Sequence, residues 1–79
     1  MKLKIAVGIT GYILALESFP NDEEHAGLNE LLGDLVDNSC VDEESGVYTA
    51  DLSVEMTDYG DPTTDFAYLA ITKLTRIDM

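Results

Sequence analysis

Positive charge is nearly missing from this chain. Its 79 residues include four bases, Lys2, Lys4, Lys73 and Arg76, against 16 acids, a formal charge of −12. Between Ile5 and Thr72 there is no lysine or arginine, while every acid except Asp78 lies in that interval. The charge is therefore sorted along the chain as well as unbalanced in number. A field of this sign excludes nucleic acid and anionic membrane as direct partners, because like charges repel.

Other absences narrow the class further. The single cysteine, Cys40, excludes an internal disulfide and fits a reducing cytosol. No stretch approaches the roughly 20 consecutive apolar residues that a membrane-spanning helix needs. The start, Met1-Lys2-Leu3-Lys4-Ile5-Ala6-Val7, has the basic opening of a signal peptide. Gly8, Thr10 and Gly11 interrupt its apolar stretch, however, and no small-residue cleavage site follows before Glu17. A cytoplasmic protein is expected.

Catalytic and cofactor signatures are also wanting. Gly8-Ile9-Thr10-Gly11 is too short for a phosphate loop and lacks its lysine, so no cofactor is expected. His25 is the only histidine, and a Cys40–His25 pair would sit at opposite ends of a predicted helix, about 20 Å apart. Carboxylates are so abundant that any pairing of them is uninformative about acid–base chemistry. A binding protein is expected rather than an enzyme.

What is present is a readable scaffold. The length allows one domain, residues 1–79, which buries only about 60% of the surface its unfolded form exposes. The apolar fraction of 46% and its periodicity favour a folded chain over a disordered one. Leu3, Ile5 and Val7 alternate on one face of a strand. Gly8 and Gly11 bracket a turn into a second strand over Tyr12–Leu16; the pair reads as a hairpin, or as one long bent strand.

Pro20 then precedes Asn21-Asp22-Glu23-Glu24, an N-cap residue with glutamate three positions on, which is the spacing of a capping box. A helix is expected from about Asp22 to Asn38, with Leu28, Leu31, Leu32, Leu35 and Val36 as its apolar stripe. Asp42-Glu43-Glu44-Ser45-Gly46 is a polar connection. Tyr48, Ala50, Leu52, Val54 and Met56 alternate with polar residues, as in a strand with one wet face. Asp58-Tyr59-Gly60-Asp61-Pro62 has turn composition. A last strand, Phe66 to about Ile77, is apolar on both faces at its start and reads as central in the sheet. Tyr12, Tyr48, Phe66 and Tyr68 are expected in the core. The fold class is α+β: a small antiparallel β-sheet with one helix packed on a face, in the order ββαββ.

The acids form a pattern on this scaffold. At 100° per residue Glu23, Glu30, Asp34 and Asp37 share the side of the helix opposite the leucines. A solvated helix face ordinarily mixes signs, since opposite charges at i, i+4 contribute about 0.2–0.5 kcal/mol per pair. This helix has no base, and Glu30 with Asp34 is a like-charge i, i+4 pair. Asp34 and Asp37 also lie toward the end of the helix where the dipole disfavours acids. The run continues through Glu24 at the start of the helix, through Asp42, Glu43 and Glu44, and again at Asp58, Asp61 and Asp65. Stability does not account for this arrangement. Glu23, Glu24, Glu30, Asp34, Asp37, Asp42, Glu43, Glu44, Asp58 and Asp61 are therefore the candidate partner-binding residues.

In size, charge and plan the chain resembles the small acidic phage-encoded inhibitors of host defence: anti-CRISPR proteins, anti-restriction proteins and other DNA mimics. The resemblance spans the whole chain and includes no alignable motif. It implies a basic nucleic-acid-binding protein or complex as partner, such as a CRISPR effector, a nuclease or a repressor, met in the host cytoplasm. Three other readings stand beside it. Halophilic proteins are acidic and lysine-poor without any one acid having a role. Asp37, Asn38, Asp42, Glu43 and Glu44, or Asp58, Asp61 and Asp65, offer oxygen ligands to a divalent cation, although neither stretch has the glycine and glutamate of a twelve-residue calcium loop. Phe66, Tyr68 and Leu74 on the second face of the last strand call for a cover that a homodimer would supply.

Overall fold

The computed structural model describes residues 1–78. Alternation at the N-terminus produces β1 (Lys2–Val7), which buries Leu3, Ile5 and Val7 and leaves Lys2 and Lys4 in water. The chain reverses through a turn closed by Gly8 N–H donating to the Tyr12 carbonyl at 2.9 Å and Gly11 N–H to that of Gly8 at 3.0 Å. It returns as β2 (Ile13–Ala15), antiparallel to β1, with Val7 opposite Ile13 and Ile5 opposite Ala15. The two are a hairpin, not one bent strand. β2 is shorter than the Tyr12–Leu16 span expected, because Tyr12 forms only an isolated bridge to Cys40. Val41 N–H donates to the Gly11 carbonyl at 2.9 Å at the same place. Gly11 has φ of +81°, and a Cβ there would lie 2.5 Å from the Val41 carbonyl oxygen.

The helix begins later than its capping signature predicts. Asp22 Oδ1 accepts the His25 N–H at 3.0 Å, folding residues 22–25 into a turn rather than a first helical turn. Gly27 then takes a left-handed conformation, φ 81°, and α1 (Leu28–Asn38) starts after it. The reversal lets Phe19, 6% exposed, reach the core. Asn29 holds it there, accepting the Phe19 N–H at 2.9 Å and donating to the Phe19 carbonyl at 3.1 Å. The apolar stripe is as expected: Leu28, Leu32 and Leu35 are buried, and Leu31 and Val36 pack beside them.

β3 (Gly46–Met56) pairs antiparallel with β1, Leu3 opposite Ala50 and Ile5 opposite Tyr48, and β4 (Ala67–Arg76) pairs antiparallel with β3. The sheet order is β2-β1-β3-β4, a four-stranded antiparallel sheet with one helix on a face and ββαββ along the chain. β4 is therefore an edge strand, not the central one its two-faced apolar start predicts. Its inner face, Leu69 and Ile71, packs toward the helix, and its outer face has no cover. A bulge shifts the register between Asp51 and Leu52, so that Leu52 faces Ile71 but Ala50 faces Leu74. That extra residue carries Leu74 onto the helix side, away from Tyr68. Phe66 and Tyr68 are 56% and 40% exposed and Tyr12 is exposed, so only Tyr48 of the four expected aromatics is core.

β3 and β4 outrun the rest of the sheet. Met1 closes the end of β1, its amino group donating to the Leu52 carbonyl at 3.0 Å. Past that point Val54 and Met56 have no neighbouring β1 residue and stay exposed despite their alternation. No helix among the described residues is long and apolar enough to cross a membrane.

Candidate functional site

On α1 the 3.6-residue period sets Glu30, Asp34 and Asp37 on the side away from Leu28, Leu32 and Leu35, and all three acids are exposed. The last helical turn contains no base, and none of the three has an ion-pair partner among the described residues. They occupy about 10 Å of helix, at spacings of about 6 and 4.5 Å. One DNA strand carries a charge every ~3.4 Å, so the helix alone is sparser than a phosphate backbone. Glu23 and Glu24, expected on this helix, lie instead in the turn before Gly27, where both are exposed. Asp22 beside them is committed to structure. Its carboxylate stands 2.7 Å from His25 Nδ1 and is held below the usual aspartate range chiefly by that contact.

The loop acids divide into two groups. Asp42, Glu43 and Glu44 follow the helix, and Asp58 and Asp61 lie in the loop from β3 to β4. β3 runs between the groups and spans roughly 33 Å of a molecule 43 Å long. They therefore sit at opposite ends of the long axis, and the ten candidates do not make one patch. Two of the ten also have structural duties. Glu44 accepts from the Arg76 guanidinium at 3.0 Å, while its carbonyl accepts the Tyr48 hydroxyl at 2.6 Å. Asp61 accepts the Thr63 N–H at 3.0 Å and hydroxyl at 2.8 Å, which hold its carboxyl below the usual range. Glu23, Glu24, Glu30, Asp34, Asp37, Asp42, Glu43 and Asp58 have no ion-pair partner among the described residues.

The bases lie elsewhere. Lys2 and Lys4 alternate with the buried residues of β1, and Lys73 pairs across the sheet with Asp51, which in turn pairs with Lys2. Residues directly opposite share a face, so all three lysines stand on the open face of the sheet, with the helix on the other. Arg76 is engaged by Glu44, by Asp78 at 2.8 Å and by the Ser45 carbonyl, and lies over the Tyr48 ring at 5.9 Å. None of the ten candidate acids lies in a strand. The alternation of Lys2 and Lys4 with Leu3 and Ile5 was visible in the sequence; that Lys73 joins them depends on the β4 register.

Two further features border the acidic surface. A groove of about 360 Å³ runs between α1 and the start of β4, walled by Leu31, Leu35, Phe66 and Leu69, with Asp34 and Asn38 also lining it. No group of three His, Cys, Asp or Glu side chains converges to hold a metal ion among the described residues. Cys40 is exposed, its Sγ 3.4 Å from the Thr10 carbonyl. His25 stacks on Phe19 with ring centroids 6.2 Å apart, near the far end of the helix from Cys40. Comparisons with protein-family models, curated proteins and solved structures find no match for this chain.

Proposed function

We propose that this domain is a non-enzymatic inhibitor of phage type, one that occupies a basic nucleic-acid-binding surface and blocks nucleic acid from it. The observation that carries the reading is the sorting of charge between two sides of the molecule. Seven of the eight unpaired candidate acids lie on the helix and its flanking turns, with Asp58 in the β3–β4 loop, and the three lysines lie on the opposite face of the sheet beside Asp51 and Glu55. Random acidity would place some of its bases on the helix as well, where they would relieve repulsion. Instead the helix and the turn before it contain no lysine or arginine, and present a negative surface of the kind that steers a positively charged partner.

Because the helix alone is sparser than a DNA strand, the imitation takes place across the helix, the turn before it and the connection after it. The acids of the β3–β4 loop, a molecule's length from Asp42, make a second, separate contact or none.

The test is an affinity pull-down of the tagged protein from nuclease-treated bacterial lysate at low and moderate salt. Each captured nucleic-acid-binding complex is then assayed for DNA binding with and without the protein. A salt-sensitive complex that loses its DNA when the protein is added supports the reading. Failure of every captured complex to lose DNA refutes it, and folding only in molar salt would favour halophilic acidity instead.

A further inference from the structure

Sheet edges are normally guarded by shortness, bulges or charge. β2 is guarded by being three residues long. β4 is ten residues long and ends the sheet on the other side. Its second half has guards of its own, the bulge at Thr72 and the charge of Lys73. Its first half, Ala67-Tyr68-Leu69-Ala70-Ile71, has no charge, proline or bulge and keeps regular register with Met56–Leu52. No backbone hydrogen bond outside the sheet involves these five residues. Their outward amides and carbonyls are an open template for another strand.

Three of these residues, Ala67, Tyr68 and Leu69, border the groove against α1. Leu31, Leu35, Phe66 and Leu69 make its apolar walls, and Asp34 is the one charged residue among those lining it. At 100° per residue Asp34 is the acid of the helix turned toward the Leu31 flank, and so toward β4.

We propose that Ala67–Ile71 is the docking edge for an extended basic segment of the partner, which adds to the sheet as a fifth strand. A strand added there turns alternate side chains over the groove. A lysine or arginine at such a position lays its aliphatic stem along Leu31 and Phe66 and brings its charge to Asp34. Charge selects the occupant: a second copy of this chain would bring another −12 to the edge, whereas a basic segment is drawn to it. This proposal rests on the basic-partner reading above and adds where, and in what conformation, the partner binds.

The experiment is a titration of the isotope-labelled full chain, followed by amide NMR shifts, with two defined peptides. One alternates arginine with valine. The other replaces every valine with proline, keeping the charge but removing the ability to add as a strand. The alternating peptide should shift Ala67–Ile71, Leu31 and Asp34 saturably and bind at least about tenfold more tightly than its proline counterpart. Asp34→Asn and Phe66→Ser, both at exposed positions, should remove that preference with the fold intact. Equal shifts from both peptides, confined to the acids of α1 and the loops, would overturn the docking edge and leave the acidic-surface reading standing. No shift from either peptide at low salt would overturn both. Concentration-dependent shifts of β4 in the protein alone would assign the edge to a second copy and overturn the basic segment as its occupant.

Discussion

Asn29, on the first turn of α1, grips the backbone of Phe19 at both of its polar groups, taking the N–H at 2.9 Å and giving to the carbonyl at 3.1 Å. Asn29 lies ten positions on from Phe19, and the segment from Pro20 to Gly27 contains no helix or strand. The clamp plugs Phe19 into the core and sets where the turn carrying Glu23 and Glu24 leaves it. Asn29→Ala leaves two backbone groups of a buried residue unsatisfied and should cost about 1–3 kcal/mol. In a domain this size the melting temperature should fall by at least about 4 °C. Thermal unfolding by circular dichroism checks it, and an unchanged midpoint would show that water replaces the amide.

Gly11 and Gly33 should respond to alanine with opposite signs. At Gly11 a Cβ meets the Val41 carbonyl at 2.5 Å on a backbone with φ of +81°, while at Gly33, inside α1, it meets nothing within 4 Å. Gly11→Ala should destabilise by more than the ~1–2 kcal/mol that a left-handed residue costs alone. Gly33→Ala should stabilise by about 0.5–1 kcal/mol. Denaturant unfolding of the pair is decisive, since destabilisation by both would place Gly33 in a contact.

Reversal of Glu30 and Asp34 to lysine together should weaken partner binding by lowering the association rate, because exposed charges act mostly on encounter. Stability should hold or rise slightly, as the double reversal lowers the net negative charge and lysine replaces an acid toward the C-terminal half of α1, where the dipole favours a cation. Stopped-flow or surface-based kinetics against the captured partner, run beside a melting curve, separates the effects. Unchanged association would exclude the helix face from the contact.

Salt should stabilise the fold while weakening the complex. A charge of −12 repels itself, and screening over a Debye length of about 10 Å at 0.1 M relieves that repulsion. Acid acts differently at Asp22, Asp61 and Asp78, whose carboxyls hydrogen bonds hold below the ordinary aspartate value. With the folded pKa depressed, the unfolded state binds more protons in this window. Their stabilisation is present above the unfolded value of about 3.9 and is lost as pH falls through the folded values. Melting curves from pH 5 downward should show the loss, and Asp61→Asn should flatten part of it. An equally steep decline in that variant would remove Asp61 from the effect.

Leu32→Asp tests the helix register. Leu32 is buried in the core cluster, and an unpartnered charge there costs several kcal/mol, enough to abolish cooperative unfolding in a domain this small.

Elements with a strong local period were legible: the Leu3–Ile5–Val7 face, the leucine stripe of α1 and the first half of β3 all pack as their spacing predicts. The misses share one cause. Asn21 and Glu24 have capping spacing, but the burial of Phe19 and the Asp22 hydrogen bond to His25 override it and delay the helix to Leu28. The start of β4 is apolar on both faces, and nothing local distinguishes a central strand from an edge strand whose outer face is left uncovered. Of the candidate acids, the exposure of all ten was legible, but the duties of Glu44 and Asp61 were not, because Arg76 and Thr63 reach them only in the folded loops.

Local pattern was enough for the sign and size of the charge, the confinement of the bases to the chain ends, the ββαββ order and the core faces of β1, α1 and the first half of β3. These depend on composition and on periods of 2 and 3.6 residues, which short-range sterics and burial enforce. Tertiary structure alone decided the strand order, the bulge that turns Leu74 inward, the gathering of Lys2, Lys4 and Lys73 on one face, and the exposure of the Ala67–Ile71 edge. Each of these depends on which distant residues come to lie side by side, and pairing energies between strands are too similar from one register to the next for a local pattern to choose.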